Sequence, residues 1–317
     1  MAKIYVPQYA GEAAKKYLTD KGYEYIERSD KELDPVLLAE CDAILARAVP
    51  LIHEADIKAA KNLKVIGRYG VGVDNIDVDA CTRYGVQVTN APLSNWVPVA
   101  EHAWMFIMEC AKNVTKINEL FRGEQHYFNA RNTDSGIDLC GRTVGILGLG
   151  RIGRRLAQYA LAFETHVIAY DPFVTQDQAP AGVTMMSRDE VLKTADFISL
   201  HLPALPETHH SIGQAEFEMM KPTAYFINCA RGSIVDEAAL ISALQNHSIA
   251  GAGIDVFETE PPASDNPLLY MYNVVCSPHL AGATKDANDR MGLHAAQGIH
   301  EVLSGQKPTW PVNKLDK

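Results

Sequence analysis

Residues 142–171 read RTVGILGLGRIGRRLAQYALAFETHVIAYD, and this stretch decides the fold. A short apolar run at 143–147 leads straight into Gly148-Leu149-Gly150-Arg151-Ile152-Gly153. Apolar residues at helical spacing follow (Ile152, Leu156, Tyr159, Ala160, Phe163), and a second strand-like run, 166–170, ends at Asp171. Each glycine has a task in a dinucleotide site. Gly148 permits the tight turn, Gly150 lets the backbone approach a pyrophosphate, and Gly153 lets the helix pack closely on the strand. The phosphates would rest on the free N–H groups at the helix start, where the dipole favours negative charge. Asp171, 18 residues beyond Gly153, would accept hydrogen bonds from an adenosine ribose. A lone GxGxxG marks many ordinary turns. The strand before it, the helix after it and the acid closing the next strand make this one a dinucleotide fingerprint.

Towards the N-terminus, strand-like runs recur at 4–6, 23–26, 43–46, 64–67 and 86–89. Segments of helical period, such as 11–19 and 74–83, lie between them. That alternation predicts βαβ units and a parallel sheet. An apolar helix is expected after Pro98 (VAEHAWMFIMECAKNV), with proline in its first turn. It is too apolar for an exposed helix and too short for a membrane span, so it is expected to be a buried connector. Towards the C-terminus, six strands are expected, at 143–147, 166–170, 197–201, 224–228, 250–255 and 274–277. Helical segments, among them 189–194 and 236–246, separate most of them, which describes a doubly wound sheet. A last helix at 284–303 would return to the first domain, leaving a tail with Trp310 and Pro311. The expected fold class is α/β with two parallel sheets. Its domains would be residues 1–97 with 286–317, and residues 98–285.

The 317 residues suit two domains, and 47% apolar with 21% charged residues is an ordinary balance. Net charge is −10, from 29 basic and 39 acidic residues, with the basic ones scattered. Nucleic acid is thus a poor partner, and an anionic substrate would need local arginines, because the overall field repels it. The six cysteines form no CxxC and no metal-ligand spacing, so no metal site and a reduced cytoplasmic setting are expected. The start, MAKIYVPQY, reads as a strand and not a signal peptide. No run approaches the roughly 18 apolar residues of a membrane span.

In open α/β sheets, ligands bind outside the carboxyl ends of the strands. Just past the last three strands stand Asn228-Cys229-Ala230-Arg231-Gly232, then Asp255 to Pro262, then Ser277-Pro278-His279-Leu280-Ala281-Gly282. A guanidinium, carboxylates and an imidazole converge there, and their types suit oxidation of a 2-hydroxy acid. Arginine grips a carboxylate bidentately, and histidine beside a glutamate moves a proton near neutral pH. Each residue alone would be an ordinary turn residue; their shared place at successive strand ends carries the reading.

The sequence resembles the D-isomer-specific 2-hydroxyacid dehydrogenases along nearly its whole length. The likeness is clearest in GRYGVGVDNID (67–77), NAPLSNWVPVAEH (90–102), GILGLGRIGRR (145–155), INCARGSIVDEAAL (227–240), GIDVFETEP (253–261) and SPHLAGAT (277–284). The resemblance implies a flavodoxin-like substrate domain built from both chain ends, a Rossmann NAD domain, and usually a homodimer. By resemblance, Arg231 binds and polarises the substrate, His279 is the acid/base, and Glu260 is its partner. Glu258, two residues earlier, resembles no catalytic position. Asp255 would meet the nicotinamide carboxamide, Arg151 and Ile152 the phosphates, and Asp171 the ribose. Leu202, Cys229, Ala230 and Gly282 would line the cofactor site. Val71 and Gly72 would offer backbone groups to the substrate carboxylate. Arg47 matches an arginine that 3-phosphoglycerate-acting members place near the phosphate, but a second one, two positions later in some of them, is Val49 here. Trp96 and His102 read as structural.

The implied activity is interconversion of a D-2-hydroxy acid and its 2-oxo acid with NAD. 3-Phosphoglycerate, glycerate/hydroxypyruvate and glyoxylate types are all open. Related branches oxidise formate or phosphite, but formate-oxidising members carry glutamine where this chain has Glu260. A non-catalytic NAD-sensing corepressor is the other alternative.

Overall fold

All strand pairings in both sheets run parallel, so each sheet gathers its carboxyl ends along one edge. The computed structural model describes residues 1–122 and 136–315. It divides the chain into two compact units, residues 1–95 with 283–317, and residues 96–282.

The first unit runs β1 (Lys3–Val6), α1 (Glu12–Asp20), β2 (Glu24–Glu27), α2 (Pro35–Glu40), β3 (Ala43–Ala46), α3 (Glu54–Ala59), β4 (Val65–Arg68), α4 (Val78–Arg83) and β5 (Gln87–Thr89). Its strand order is β2-β1-β3-β4-β5, the flavodoxin-like order. The central strand β3, Ala-Ile-Leu-Ala, is buried throughout, as befits a parallel strand covered on both faces. Polar residues set the helix starts. Asp34 accepts from Val36 N–H (2.8 Å) ahead of Pro35, and Asp77 accepts from Ala80 N–H (2.8 Å). That cap starts α4 at Val78, later than the expected 74. A long helix, Lys285–Leu303, starts at the Thr284 cap. It buries Ala287, Met291, Ala295, Ala296 and Ile299 among Ile4, Val6, Leu45 and Val65. The tail then stitches onto β5. The Asn313 side chain accepts from Val88 N–H (2.7 Å) and Gln87 Nε2 (2.8 Å), and Thr89 bridges Pro311 antiparallel.

The second unit runs α5 (Trp96–Lys112), α6 (Val114–Arg122), β6 (Thr143–Leu147), α7 (Arg151–Ala162), β7 (His166–Tyr170), β8 (Val183–Met185), α8 (Arg188–Thr194), β9 (Phe197–Leu200), α9 (Gln214–Met219), β10 (Tyr225–Asn228), α10 (Glu237–Gln245), β11 (Gly251–Ile254) and β12 (Val274–Cys276). The order β12-β11-β10-β9-β6-β7-β8 is the dinucleotide-binding order with one strand added. Among the described residues the sheet has seven strands where six are expected. The one not expected, β8, is a three-residue edge strand with only Val183 buried, too short to show a period. Its faces bury two cores, one around Phe217, Phe226 and Leu240, the other around Phe106, Ile107, Leu156 and Phe197. Helix α5 begins at Trp96, so Pro98 still lies in its first turn. It is buried along one face only. Met105 and Met108 are 45% and 38% exposed, because the sheet covers one side of it.

Candidate active site

The site grows from the β6–α7 turn. Gly148 takes a φ of 99°, and a Cβ there would lie 2.6 Å from the His201 carbonyl oxygen. Gly153 presses on the Gly148 carbonyl, where a Cβ would collide. A Cβ at Gly150 would meet no protein atom within 4 Å. The strand-side glycines serve packing, then, and the middle one faces open space, as a phosphate approach requires. Gly150 caps α7 without a side-chain hydrogen bond, leaving the first-turn N–H groups for an anion. Asp171, at the end of β7, accepts from Leu149 N–H (2.8 Å) and from Phe173 N–H (2.9 Å). Its carboxylate is thereby fixed beside the glycine turn, and Arg151 and Ile152 open the helix.

Next along the edge, His201 follows β9. Its Nε2 lies 2.9 Å from Ser199 Oγ, and burial pushes the imidazole down to about 4. Leu202 packs partly buried against the core, as does Ala230 after β10. Asn228 shapes the β10 exit. Its side chain donates to the Arg231 carbonyl (3.0 Å) and accepts from Ala230 N–H (3.0 Å). Arg231 itself donates from Nη1 to the Ala230 carbonyl (2.8 Å). Burial, then the charge of Asp255, raises the Cys229 thiol well above its ordinary range. Cys229 is therefore held as the neutral thiol.

His279 and Glu260 meet. Histidine Nδ1 lies 2.7 Å from Glu260 Oε2, while Glu260 Oε1 accepts from Phe257 N–H (3.1 Å). A carboxylate can only accept, so Nδ1 carries the hydrogen and Nε2 is left for a reacting group. Burial pushes the Glu260 carboxyl up. The hydrogen bond and charge of His279, the Phe257 N–H and the Arg231 charge outweigh it, and the group stays below its ordinary value. The same balance places Arg231 within electrostatic reach of the pair.

Asp255 organises the loop that carries His279. It is 1% exposed. Its carboxylate accepts from Ser277 Oγ (2.5 Å), Leu280 N–H (2.7 Å) and Ala281 N–H (2.9 Å), and its carbonyl accepts from His279 N–H (2.7 Å). Those bonds hold His279 at a φ of 53°, a left-handed conformation uncommon for a residue with a side chain. Gly282 ends this loop. His102 joins from α5, with Nε2 2.9 Å from Ser277 Oγ and 3.8 Å from Asp255. Burial lowers its pKa against the pull of Asp255. Sequence reasoning missed Asn228, Ser277 and the link from His102. All three stand inside the family-like motifs, but His102 is 175 positions from Ser277, a distance that no local pattern spans. Trp96 lies under the Arg155 guanidinium, 5.1 Å from its ring centre.

In the first unit, Arg47 donates to the Tyr9 carbonyl (2.7 Å) and lies over the Tyr69 ring at 4.5 Å. Val71, 40% exposed, accepts at its carbonyl from Asn90 Nδ2 (2.8 Å), and Gly72 follows it in the loop after β4. Among the described residues, no group of His, Cys, Asp and Glu could hold a metal, and no helix is long and apolar enough to cross a membrane.

Residues 104–281 match the family described as D-isomer specific 2-hydroxyacid dehydrogenase, NAD binding domain. D-3-phosphoglycerate dehydrogenase of Archaeoglobus fulgidus is 39% identical over 306 residues, which is 96% of this chain and 58% of that protein. The chain spans about half the length of the curated relatives it matches. The TT0316 protein from Thermus thermophilus superposes with a TM-score of 0.89 at 31% identity, covering 98% of this chain and 100% of that one. A D-2-hydroxyisocaproate dehydrogenase gives 0.87 at 28% identity, over 99% and 100%. The chain belongs to the D-isomer specific 2-hydroxyacid dehydrogenase family.

Proposed function

We propose that this chain is an NAD-dependent oxidoreductase interconverting a D-2-hydroxy acid and its 2-oxo acid. One observation carries the reading. The His279–Glu260 pair, 2.7 Å apart, stands with Arg231 at the carboxyl edge of a sheet whose first turn is built for a dinucleotide. The fit to that cofactor rests on the open space at Gly150, the uncapped start of α7 and the fixed Asp171 carboxylate. Asp171 favours NAD over its 2′-phosphorylated form, since a phosphate there would face a carboxylate, with Pro172 and Phe173 following instead of an arginine.

A bound nicotinamide would supply the hydride in reduction and take it up in oxidation. The chain's own groups do the rest. Arg231 would fix the substrate carboxylate with its planar fork and polarise the adjacent carbonyl. His279 would give its Nε2 proton to the carbonyl oxygen as the alkoxide forms, and recover it in oxidation. Glu260 would hold the ring through Nδ1 and favour its protonated form. Asp255, its carboxylate taken up by its own loop, would keep His279 in place and is proposed to meet the nicotinamide carboxamide. Cys229, Ala230, Leu202 and Gly282 would form apolar wall around the reacting atoms. Val71 and Gly72 are proposed to bind the substrate carboxylate through the backbone. Arg47, already stacked and hydrogen-bonded, is proposed to meet the far end of the acid. 3-Phosphohydroxypyruvate is therefore the first acid to test, then hydroxypyruvate and glyoxylate. Homodimer formation and a cytoplasmic setting belong to the same proposal.

The experiment is a panel of 2-oxo acids with NADH and NADPH, following loss of reduced-nicotinamide absorbance. Turnover with at least one acid, faster with NADH, is expected. No turnover with any acid would shift the reading to a cofactor-sensing protein.

A further inference from the structure

A second imidazole–carboxylate pair has its carboxylate two residues before Glu260. His210 Nε2 lies 2.5 Å from Glu258 Oε1, each side chain 36% exposed. The pair bridges two loops that flank a third. On one side, residues 210–212 run beside the Arg231 loop. His210 N–H donates to the Ser233 carbonyl (2.9 Å), Ile212 N–H to the Ile234 carbonyl (3.1 Å), and Asp236 N–H to the Ile212 carbonyl (2.9 Å). On the other side, Gly232 is pressed against the Phe257 carbonyl so tightly that a Cβ would overlap it. Glu258 belongs to the Phe257–Glu260 turn that presents Glu260. Its own N–H is held by Glu237 Oε2 (3.0 Å), whose other oxygen accepts from Asn266 (2.7 Å). The His210–Glu258 bond thus closes a ring around the short turn 232–234, from the loop after β9 to the loop after β11.

His210 is also held for this task. Its backbone is left-handed, with a φ of 48°, and its ring stacks on His209 at 4.1 Å. An exposed imidazole–carboxylate contact adds little to global stability. What this one fixes is the placement of Arg231 relative to Glu260, because its two ends lie on the backbone segments that flank one and carry the other. We propose that His210 and Glu258 are positioning residues for the substrate-gripping arginine, acting as a clamp across the three loops. This rests on the reaction proposed above.

The test uses His210→Ala, Glu258→Ala, the double variant and Glu258→Gln in the full chain, with two readouts. Amide hydrogen exchange of segments 231–236 and 257–260 should accelerate in both alanine variants, while the melting midpoint holds. Steady-state reduction should lose about tenfold in kcat/KM for the 2-oxo acid, with NADH affinity within about twofold. The double variant should lose no more than either single one, because the two act as one unit. Glu258→Gln, which keeps an acceptor for the imidazole, should recover most of the loss. Unchanged exchange would overturn the clamp. Faster exchange without loss of kcat/KM, or equal losses in NADH affinity, would overturn the positioning role. Should the unaltered protein turn over no 2-oxo acid, the proposed reaction fails, and the exchange readout still decides the clamp.

Discussion

In the proposed reaction Arg231 and His279 divide the chemistry, and the grip of the one and the partner of the other can each be altered with the shape nearly kept. Arg231→Lys retains the charge but loses the planar two-point grip. Its kcat/KM for the 2-oxo acid should fall at least about 100-fold, roughly 3 kcal/mol of transition-state stabilisation. NADH affinity, measured by fluorescence titration, should stay near that of the unaltered protein. Activity within about threefold would take Arg231 out of substrate binding. Glu260→Gln tests the other half. The carboxylate sits 2.7 Å from His279, whose hydrogen bond and charge help to hold its pKa below the ordinary value despite burial. An amide removes the charge that favours imidazolium. The alkaline limb of the reduction profile should therefore move toward acid, while oxidation, which needs the neutral ring, keeps its acid-side activity. A limb that stays put, where chemistry limits the rate, would deny Glu260 its role.

Elements show how such residues come to share an edge. The β6–α7 turn was legible because glycine spacing, strand and helix all fall within one short stretch. Strands 143–147 and 166–170 coincide with the observed β6 and β7. Edge strand β8 was not legible, because three residues with one buried side chain carry no alternation. The turn also yields a prediction that separates ligand from packing. Gly150→Ala adds a methyl where no protein atom stands within 4 Å. Its melting midpoint should hold within a degree or so, while NADH affinity drops about tenfold or more as the methyl meets the pyrophosphate. Unchanged affinity would place the phosphates elsewhere. The site was legible in its residue types, and its supports were not. Asp255 is expected from the sequence to face the nicotinamide, but its hold on the His279 loop shows only when Ser277, Leu280, Ala281 and His102 are seen gathered on it.

At the scale of the whole molecule, both sheet orders follow from simple alternation of strand and helix, and the chain's ends return to one unit. Partly buried histidines make its stability depend on pH. His201 is pushed down to about 4, and His102 and His294 are also lowered by burial. A folded-state pKa below the unfolded value means that the unfolded chain binds the proton first. The stabilisation is therefore complete above about pH 6.5 and lost as pH falls toward about 4. For His201 alone it is on the order of 3 kcal/mol. Melting midpoints should fall across that window, and His201→Gln should flatten the fall; an equal slope in the variant would contradict the assignment. In the proposed reaction hydride passes directly to C2 of a 2-oxo acid, and NADH deuterated at the transferable C4 position, with the best acid of the panel, shows whether it does. The product should be the D-2-hydroxy acid with deuterium at C2. Product of the L configuration, or deuterium released to water, would contradict it.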